Sequence, residues 1–194
     1  MTLTLLPAAS RAPQPWKNGG GLTWPVAVSP ENASLDGFDW RLSLAVVEAG
    51  GPFSAFSGID RLMLVLDGRL QLNIAGAGQL VLDETGEAAS FPGDAEVTAA
   101  LPDGPVADLN LMVRRGRFTG VLERRRVQSQ AAIICQDTTF VLARAGGLTA
   151  MLGGESCVLE AGDAARVDHL RGGMLRLRAE APDEVIVAHV NAVR

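Results

Sequence analysis

The alternation of apolar and polar residues is most regular between 38 and 68, where it predicts two strands joined by a loop. Every second residue from Trp40 to Val46 is apolar, while Arg41, Ser43 and Ala45 occupy the positions between them. Successive side chains of a strand point to opposite faces of a sheet. This segment is therefore predicted to be a strand with one apolar face and one face that carries polar groups.

The second strand of this pair is a continuous apolar run that follows Arg61 and ends at Asp67-Gly68. This dipeptide predicts a tight hairpin, because both of its turn positions favour a positive φ, and a further strand is predicted over 69–74. The intervening segment 50–58 contains three glycines and a proline, which argue against a helix or a central strand. Loops held between rigid strands commonly carry function.

Short strand-like segments recur along the rest of the chain, at intervals typical of a sandwich or barrel. No stretch shows the period of a long helix. The predicted strands of the second half lie at 139–143, 148–152, 156–159, 164–168, 175–179 and 185–190.

A faint internal repeat supports a duplicated architecture. Phe91-Pro92-Gly93-Asp94-Ala95 resembles Glu160-Ala161-Gly162-Asp163-Ala164, and each precedes a predicted strand. We therefore expect an all-β chain built from two jelly-roll barrels, with domains at 1–118 and 119–194.

Composition narrows the class of protein. A chain of 194 residues with 47% hydrophobic residues can bury a sizeable core. Its net charge of −5 gives no electrostatic basis for binding nucleic acid or a membrane surface. Six arginines lie between 114 and 126, and we interpret Arg124 to Arg126 as a solvated face and not as a phosphate-binding patch.

The cellular location follows from cysteine usage and from the first residues. The two cysteines, Cys135 and Cys157, are far apart in the sequence and are predicted to be reduced and buried. The segment at 1–9 lacks the basic start and the apolar length of an export signal. We expect a cytoplasmic protein.

The sequence does not predict a metal site or a nucleophilic catalytic site. The two histidines, His169 and His189, have no second His or Cys at metal-ligand spacing, so we expect no bound metal and no cofactor. The chain contains no tyrosine. General acid–base work would therefore fall to Asp, Glu, the histidines or the single lysine, Lys17.

A set of polar residues on otherwise apolar strands is the strongest chemical signal. Buried arginines require an anion or an internal carboxylate, so Arg41 and Arg61 could pair with Asp60 or Asp108, bind a ligand, or do both. Both interpretations remain open at this point. Aromatic residues would wall such a pocket, with Phe53 and Phe56 as candidates.

Four motifs in order resemble the HutD/Ves family. They are the segment from Trp16 to Thr23 with three consecutive glycines, Phe38-Asp39-Trp40-Arg41-Leu42-Ser43, the segment from Gly51 to Arg61, and the segment from Asp108 to Gly116. The resemblance covers about residues 14–117. The chain departs from the family pattern at 24–26, where Trp-Pro-Val replaces a frequent Arg-Glu-Ile, and at Ser57, where a proline is frequent.

The resemblance implies a fold, a ligand class and a site. HutD/Ves proteins are bicupins, which implies two cupin barrels (double-stranded β-helices) and a small-molecule pocket in the first. The implied ligand is a small anionic metabolite of histidine utilisation, such as formylglutamate or urocanate, and the implied role is regulatory or sensing. The implied site residues, with Phe56 added from the loop, are Trp16, Lys17, Asn18, Gly19, Gly20, Arg41, Ser43, Phe53, Phe56, Asp60, Arg61, Asp108, Asn110 and Arg114.

Two other functions remain open. One is a metal-independent cupin isomerase or hydrolase acting on a small carboxylate, with Asp60 or Lys17 as the proton-transfer group. The other is an assembly or regulatory partner that uses the surface of the second barrel, and a homodimer is left open.

Overall fold

The computed structural model describes residues 2–16 and 19–194, and the chain is organised almost entirely as β-strands. The all-β class predicted from the alternation is confirmed. A single turn of 3-10 helix, Ala8–Ser10, interrupts the strands near the start. In the described part of the chain, no helix has the length and apolarity needed to cross a membrane.

The chain divides into two compact units, and residues 12–118 form the first, here called the N-terminal unit. Its strands form a six-stranded sheet in the order β2-β3-β4-β11-β6-β9 and a four-stranded sheet in the order β5-β10-β7-β8, with antiparallel neighbours. The strands are β2 (Gln14–Pro15), β3 (Gly21–Ser29), β4 (Trp40–Val47), β5 (Gly51–Pro52), β6 (Ile59–Asp67), β7 (Arg69–Ile74), β8 (Gly78–Asp83), β9 (Ala89–Pro92), β10 (Val97–Ala100) and β11 (Val106–Arg114).

The C-terminal unit consists of residues 119–194 together with the first eleven residues of the chain. Its sheets have the orders β1-β17-β14-β19-β12 and β13-β18-β15-β16. The strands are β1 (Thr2–Leu6), β12 (Phe118–Val127), β13 (Gln130–Ile134), β14 (Thr138–Ala143), β15 (Leu148–Leu152), β16 (Glu155–Leu159), β17 (Ala164–Asp168), β18 (Met174–Ala179) and β19 (Asp183–Ala192).

Each unit has its own apolar core, to which both of its sheets contribute. In the N-terminal unit, Met63 and Val65 of the larger sheet are buried in one cluster with Leu70 and Leu72 of the smaller sheet. In the C-terminal unit, Val141 and Val187 lie in one cluster with side chains of β15 and β18. The closed form of these units as two cupin barrels remains a prediction, whereas the pairing of two sheets around each core is observed.

The strand orders show an internal duplication. The order β4-β11-β6-β9 in the N-terminal unit matches β12-β19-β14-β17, and β5-β10-β7-β8 matches β13-β18-β15-β16. This correspondence aligns the turn before β9 with the turn before β17. The two Gly-Asp segments that the sequence suggested as a repeat are therefore not equivalent. Gly93 follows β9 whereas Gly162 precedes β17, the strand that corresponds to β9, so the suggested repeat is offset by one strand. The equivalent segments are 81–89 and 158–165, each of which begins with Val-Leu and ends with Ala-Ala.

The predicted hairpin at Asp67-Gly68 is wrong. Gly68 has the expected positive φ of 84°. The strands on either side nevertheless lie in different sheets, since β6 pairs with β9 and β11 while β7 pairs with β8 and β10. The dipeptide therefore forms the corner at which the chain passes from one sheet to the other.

The first strand also differs from the sequence-based domain boundaries. β1 pairs with β17 from Thr2 to Leu6, so it belongs to the C-terminal unit and not to a domain spanning 1–118. The side chain of Arg11 donates to the carbonyl of Gly162 at 2.7 Å and anchors the end of this segment. Pairing with a strand more than 150 residues away leaves no local trace in the sequence.

The third glycine of the triple-glycine segment is required for close packing. A Cβ added at Gly21 would clash with the backbone carbonyl of Val46 and would lie 3.3 Å from the ring of Trp16. We expect Gly21→Ala to lower the free energy of unfolding by roughly 1–3 kcal/mol, because the added carbon overpacks a paired strand. Urea denaturation, followed by the fluorescence of the tryptophans in the N-terminal unit, measures this change.

Gly86→Ala is the control within the same unit, since the nearest heavy atoms to its added Cβ lie at 3.6 Å, an ordinary contact distance. Equal effects of the two substitutions would contradict the packing role of Gly21.

Candidate functional site

Three adjacent strands of the N-terminal unit carry polar side chains on their inner face. Alternation along β4, β11 and β6 places Arg41 and Ser43, then Asp108 and Asn110, then Arg61 on the face that also carries core residues such as Met63. Their order across the sheet follows from the register of the strands. The polar groups are therefore brought together by pairing between segments that lie far apart in the sequence.

The register arranges these side chains in three rows. Met112 lies between Arg41 and Arg61 in the first row. Asn110 lies between Ser43 and Met63 in the second row, and Asp108 lies between Ala45 and Val65 in the third. Since neighbouring strands are about 4.8 Å apart, the backbones of the two arginines lie about 10 Å from each other, on either side of Met112.

A cavity of about 820 Å³ opens against the first two rows. Its volume suits a small metabolite. Of the residues singled out from the sequence, it is lined by Trp16, Arg41, Ser43, Phe53, Phe56, Arg61, Asn110 and Arg114. The lining also includes residues that were not among the predicted site residues, such as Gln14, Thr23, Leu35, Asp36 and Met112.

Arg61 is buried among aromatic rings. The residue is only 6% exposed to solvent. Its guanidinium carbon lies 5.1 Å from the ring centroid of Phe53, 5.2 Å from that of Phe91 and 5.9 Å from that of Phe56. Each such contact is worth about 0.5–2 kcal/mol. Burial lowers the pKa of Arg61 to about 10, and the negative charge of Asp108 opposes that shift. The group remains a cation at neutral pH.

Asp108 is the most deeply buried charged group of the set, at 1% exposure. Within the described residues, neither of its carboxyl oxygens has a hydrogen-bond partner, and the same holds for Arg61 Nε and Asn110 Oδ1. Burial raises the pKa of Asp108 to about 7, and the positive charge of Arg61 pulls it back. A buried carboxyl with no donor prefers its neutral form, because ionisation there costs free energy that hydrogen bonds would otherwise offset.

The second arginine of the first row is better satisfied. Arg41 Nη2 donates to Oε1 of Gln14 at 3.0 Å. Burial lowers the pKa of Arg41 as well. Gln14 belongs to the short edge strand β2, and no feature of the sequence alone linked it to Arg41.

The loop that carries the two phenylalanines is held in place by backbone hydrogen bonds. The amide of Phe53 donates to Val97 at 2.8 Å and that of Phe56 to Gly93 at 2.7 Å. The ring of Phe53 meets Trp16 edge to face, with centroids 6.2 Å apart. Trp16 is fixed in turn by a 2.7 Å hydrogen bond from Nε1 to Thr23 Oγ1. The aromatic wall of the cavity is thus held in position by packing and by hydrogen bonds within the protein.

Several predicted site residues lie elsewhere. Asp60 occupies the opposite face of β6 from Arg61 and forms an ion pair with Arg115 at 2.7 Å, so alternation removes it from the cavity. Gly19 and Gly20 do not line the cavity, and the carbonyl of Gly20 accepts from the amide of Glu48 at 2.9 Å. Lys17 and Asn18 lie outside the described residues.

Arg114 lines the cavity, but its guanidinium is bound to the backbone of the protein. Its Nη2 donates to the carbonyl of Phe38 at 2.6 Å, and its Nε donates to the same oxygen at 3.1 Å. Its guanidinium is therefore already engaged. Phe91 was missed by the sequence analysis, because its contact with Arg61 depends on the pairing of β9 with β6.

The equivalent strands of the C-terminal unit carry different buried polar side chains. Thr139 on β14 and His189 on β19 are paired in register, and Thr139 Oγ1 lies 3.0 Å from His189 Nδ1. Burial lowers the pKa of His189. The two buried polar groups satisfy each other, in contrast to Asp108 and Arg61.

Comparison with known proteins establishes first the class and then the family. The described chain has an all-β, cupin-like fold, as in solved structures that cover nearly all of it. The sequence profile of the HutD family matches residues 8–187, and the chain belongs to that family. Membership predicted from the four motifs is thus confirmed.

Three relatives illustrate the extent of the similarity. A protein of Pseudomonas putida, described as an uncharacterized 21.2 kDa protein in the hutC 3' region, is 37% identical over 122 residues, which are 62% of this chain and 63% of that protein. A conserved protein of unknown function from Pseudomonas aeruginosa PAO1 matches with a TM-score of 0.91 and 33% identity, over 98% of this chain and 100% of the other. HutD from Pseudomonas fluorescens SBW25, solved in a formate condition, matches with a TM-score of 0.82 and 26% identity, over 100% of each chain.

The buried carboxyl predicts a distinctive pH dependence of stability. The pKa of Asp108 in the folded chain is raised above its ordinary value, so its contribution to stability is present at low pH and is lost as the pH rises through about 7. Asp108→Asn keeps the shape of the neutral form. We expect it to melt roughly 5–10 °C above the parent at pH 8.5 and close to the parent at pH 4.5.

Differential scanning fluorimetry across this pH range measures the difference. Asp67→Asn, an exposed aspartate on the same β6–β11 pair, is the control and should show no such trend. A variant at 108 that is destabilised most at pH 8.5 would mean instead that the ionised carboxylate stabilises the fold.

Proposed function

We propose that this HutD-family protein binds a small anionic metabolite, without a metal, in the cavity of the N-terminal unit. The single observation that carries the proposal is the guanidinium of Arg61, which lines the cavity, is almost fully buried and has Nε without an acceptor among the described residues. A buried cation in this state is costly unless an anion completes its hydrogen bonds. A carboxylate is the group that a guanidinium binds best, through two parallel hydrogen bonds.

The arrangement of the first row supports a ligand with more than one polar end. Arg41 and Arg61 both line the cavity from opposite sides of Met112. A molecule that spans them would place negative charge at each. Formylglutamate, a dicarboxylate with a formyl amide, satisfies this condition more fully than urocanate, which carries one carboxylate. Both candidates derive from the histidine-utilisation role of the family.

The walls of the cavity suit the aliphatic or planar middle of such a ligand. Phe53, Phe56 and Trp16 supply apolar surface beside the arginines. In the proposed site, Arg61 and Arg41 hold carboxylate oxygens and Ser43 and Asn110 offer further polar contacts. Lys17 and Asn18 are assigned to the far end of the ligand on the family motif alone. The proposed role of binding is regulatory or sensing.

A metal-independent isomerase or hydrolase remains the alternative from the sequence, but no observation favours it. Its proton-transfer candidate Asp60 is directed away from the cavity and is paired with Arg115. The other candidate, Lys17, lies outside the described residues.

A thermal-shift screen tests the proposal. Formate, N-formylglutamate and urocanate are added to the purified chain at pH 6.5, with and without a chelator. A ligand present at 100 times its dissociation constant stabilises the folded state by about 2.7 kcal/mol, which corresponds to roughly 5–10 °C in a chain of this size. We expect N-formylglutamate to give a shift of this order that the chelator does not change.

Arg61→Ala should abolish the shift, and Arg178→Ala is the control. Arg178 is an exposed arginine on β18 of the C-terminal unit. The comparison uses the ligand-induced shift and not the melting temperature itself, because removing a buried charge changes stability on its own. An unchanged shift in the Arg61 variant would contradict the site, and no shift with any of the three anions would contradict the function.

A further inference from the structure

We propose that a bound anion replaces Asp108 as the counter-ion of Arg61, and that Asp108 takes up a proton from solvent when the anion binds. Asp108 then acts as an internal positioning residue that couples ligand binding to protonation. This inference rests on the proposed function and specifies how its site works. The affinity for the anion should consequently fall as the pH rises.

Asp108 lies deep in the N-terminal unit, where the described residues offer it no hydrogen-bond partner. It lies two rows deeper than Arg61 on the same inner face, and it does not line the cavity. Neither of its oxygens accepts a hydrogen bond from the residues that the structure describes. Its ionised form is therefore stabilised mainly by the positive charge of Arg61 at longer range, which a ligand anion would neutralise.

Among residues 2–16 and 19–194, few charged groups face Asp108. β4 contributes Arg41 and β6 contributes Arg61, while the flanking residues in its own row are Ala45 and Val65. The core side chains of β7, β9 and β10 that share this interior are apolar, namely Leu70, Leu72, Ile74, Ala89, Phe91, Val97 and Ala99. At the far end of β11, Arg114 is engaged by the carbonyl of Phe38, and Asp36 lies in the lining of the cavity.

A second negative charge in this interior would raise the cost of the first. With the cavity empty, Arg61 and an ionised Asp108 compensate each other through space. An anion bound to Arg61 adds one negative charge in a region of low dielectric constant, where like charges repel strongly. A proton on Asp108 removes that repulsion, so the carboxylate at Arg61 and a proton enter together, and the summed charge of Arg61, Asp108 and that carboxylate equals the charge of the ion pair before binding.

The acid–base properties of the carboxyl agree with this coupling. Burial already raises the pKa of Asp108 to about 7 in the unliganded chain. Loss of the opposing effect of Arg61 would raise it further. The exchange would therefore occur within the ordinary range of cellular pH.

Isothermal titration calorimetry with N-formylglutamate and with formate tests the inference. The carboxyl groups of both probes are fully ionised above pH 6, so a change of affinity between pH 6 and 8.5 reports on the protein. We expect about tenfold weaker binding at pH 8.5 than at pH 6. Titrations at pH 7.5 in buffers of different ionisation enthalpy should show net uptake of roughly half to one proton per ligand.

Asp108→Asn is the diagnostic variant, with Asp67→Asn as the exposed control. The asparagine variant should bind with an affinity that changes less than about twofold over this range and should bind more tightly than the parent at pH 8.5. The proton count on the parent protein needs no variant, so the inference stays testable if the asparagine variant fails to fold.

Two kinds of failure can be told apart. Anion binding that is independent of pH and takes up no proton, or a folded asparagine variant that has lost binding at every pH, would overturn this inference and leave the proposed function in place. Absence of binding by both probes at every pH would overturn the proposed function and the inference with it.

Discussion

The buried charges of Arg61 and Asp108 are the constraint on which the N-terminal unit depends. Both side chains lie on the inner face of the same sheet and point into the interior of the N-terminal unit. No hydrogen bond joins them, since the oxygens of Asp108 and Nε of Arg61 lack partners among the described residues. Such groups reduce stability unless something offsets them. Three phenyl rings around Arg61 offset part of the cost, and the cavity beside it offers room for an anion that would offset more. Under the proposed function, this arrangement lowers the stability of the fold and provides a site for an anion.

The duplicated strand order shows that the fold alone does not determine this chemistry. The same order of strands in the C-terminal unit encloses Thr139 and His189, which satisfy each other. In the N-terminal unit the corresponding region holds arginines and a carboxyl. The difference lies in a few inward positions on equivalent strands, so the chemistry of each unit depends on its own side chains and not on the shared strand order.

Much of this organisation could be predicted from the sequence, and the omissions have physical causes. Alternation over 40–46 gave the faces of β4 correctly, and the short strands of the second half lie close to their predicted positions. The errors concern which segments pair. A glycine turn after β6 does not reveal that the next strand joins the other sheet, nor do residues 2–6 reveal β17 as their partner. Phe91 and Gln14 reach the arginines only through such long-range register, whereas Asp60 and Arg61 are neighbours in sequence that alternation directs to opposite faces.

The most direct test is a crystal structure of the protein grown with saturating N-formylglutamate at pH 6.5. The account predicts density for the ligand in the cavity of the N-terminal unit, with carboxylate oxygens within hydrogen-bond distance of the Arg61 guanidinium and the ligand's carbon chain against Phe53 and Phe56. A cavity that holds only water under these conditions, or an anion bound instead at the exposed Arg125 and Arg126, would contradict it.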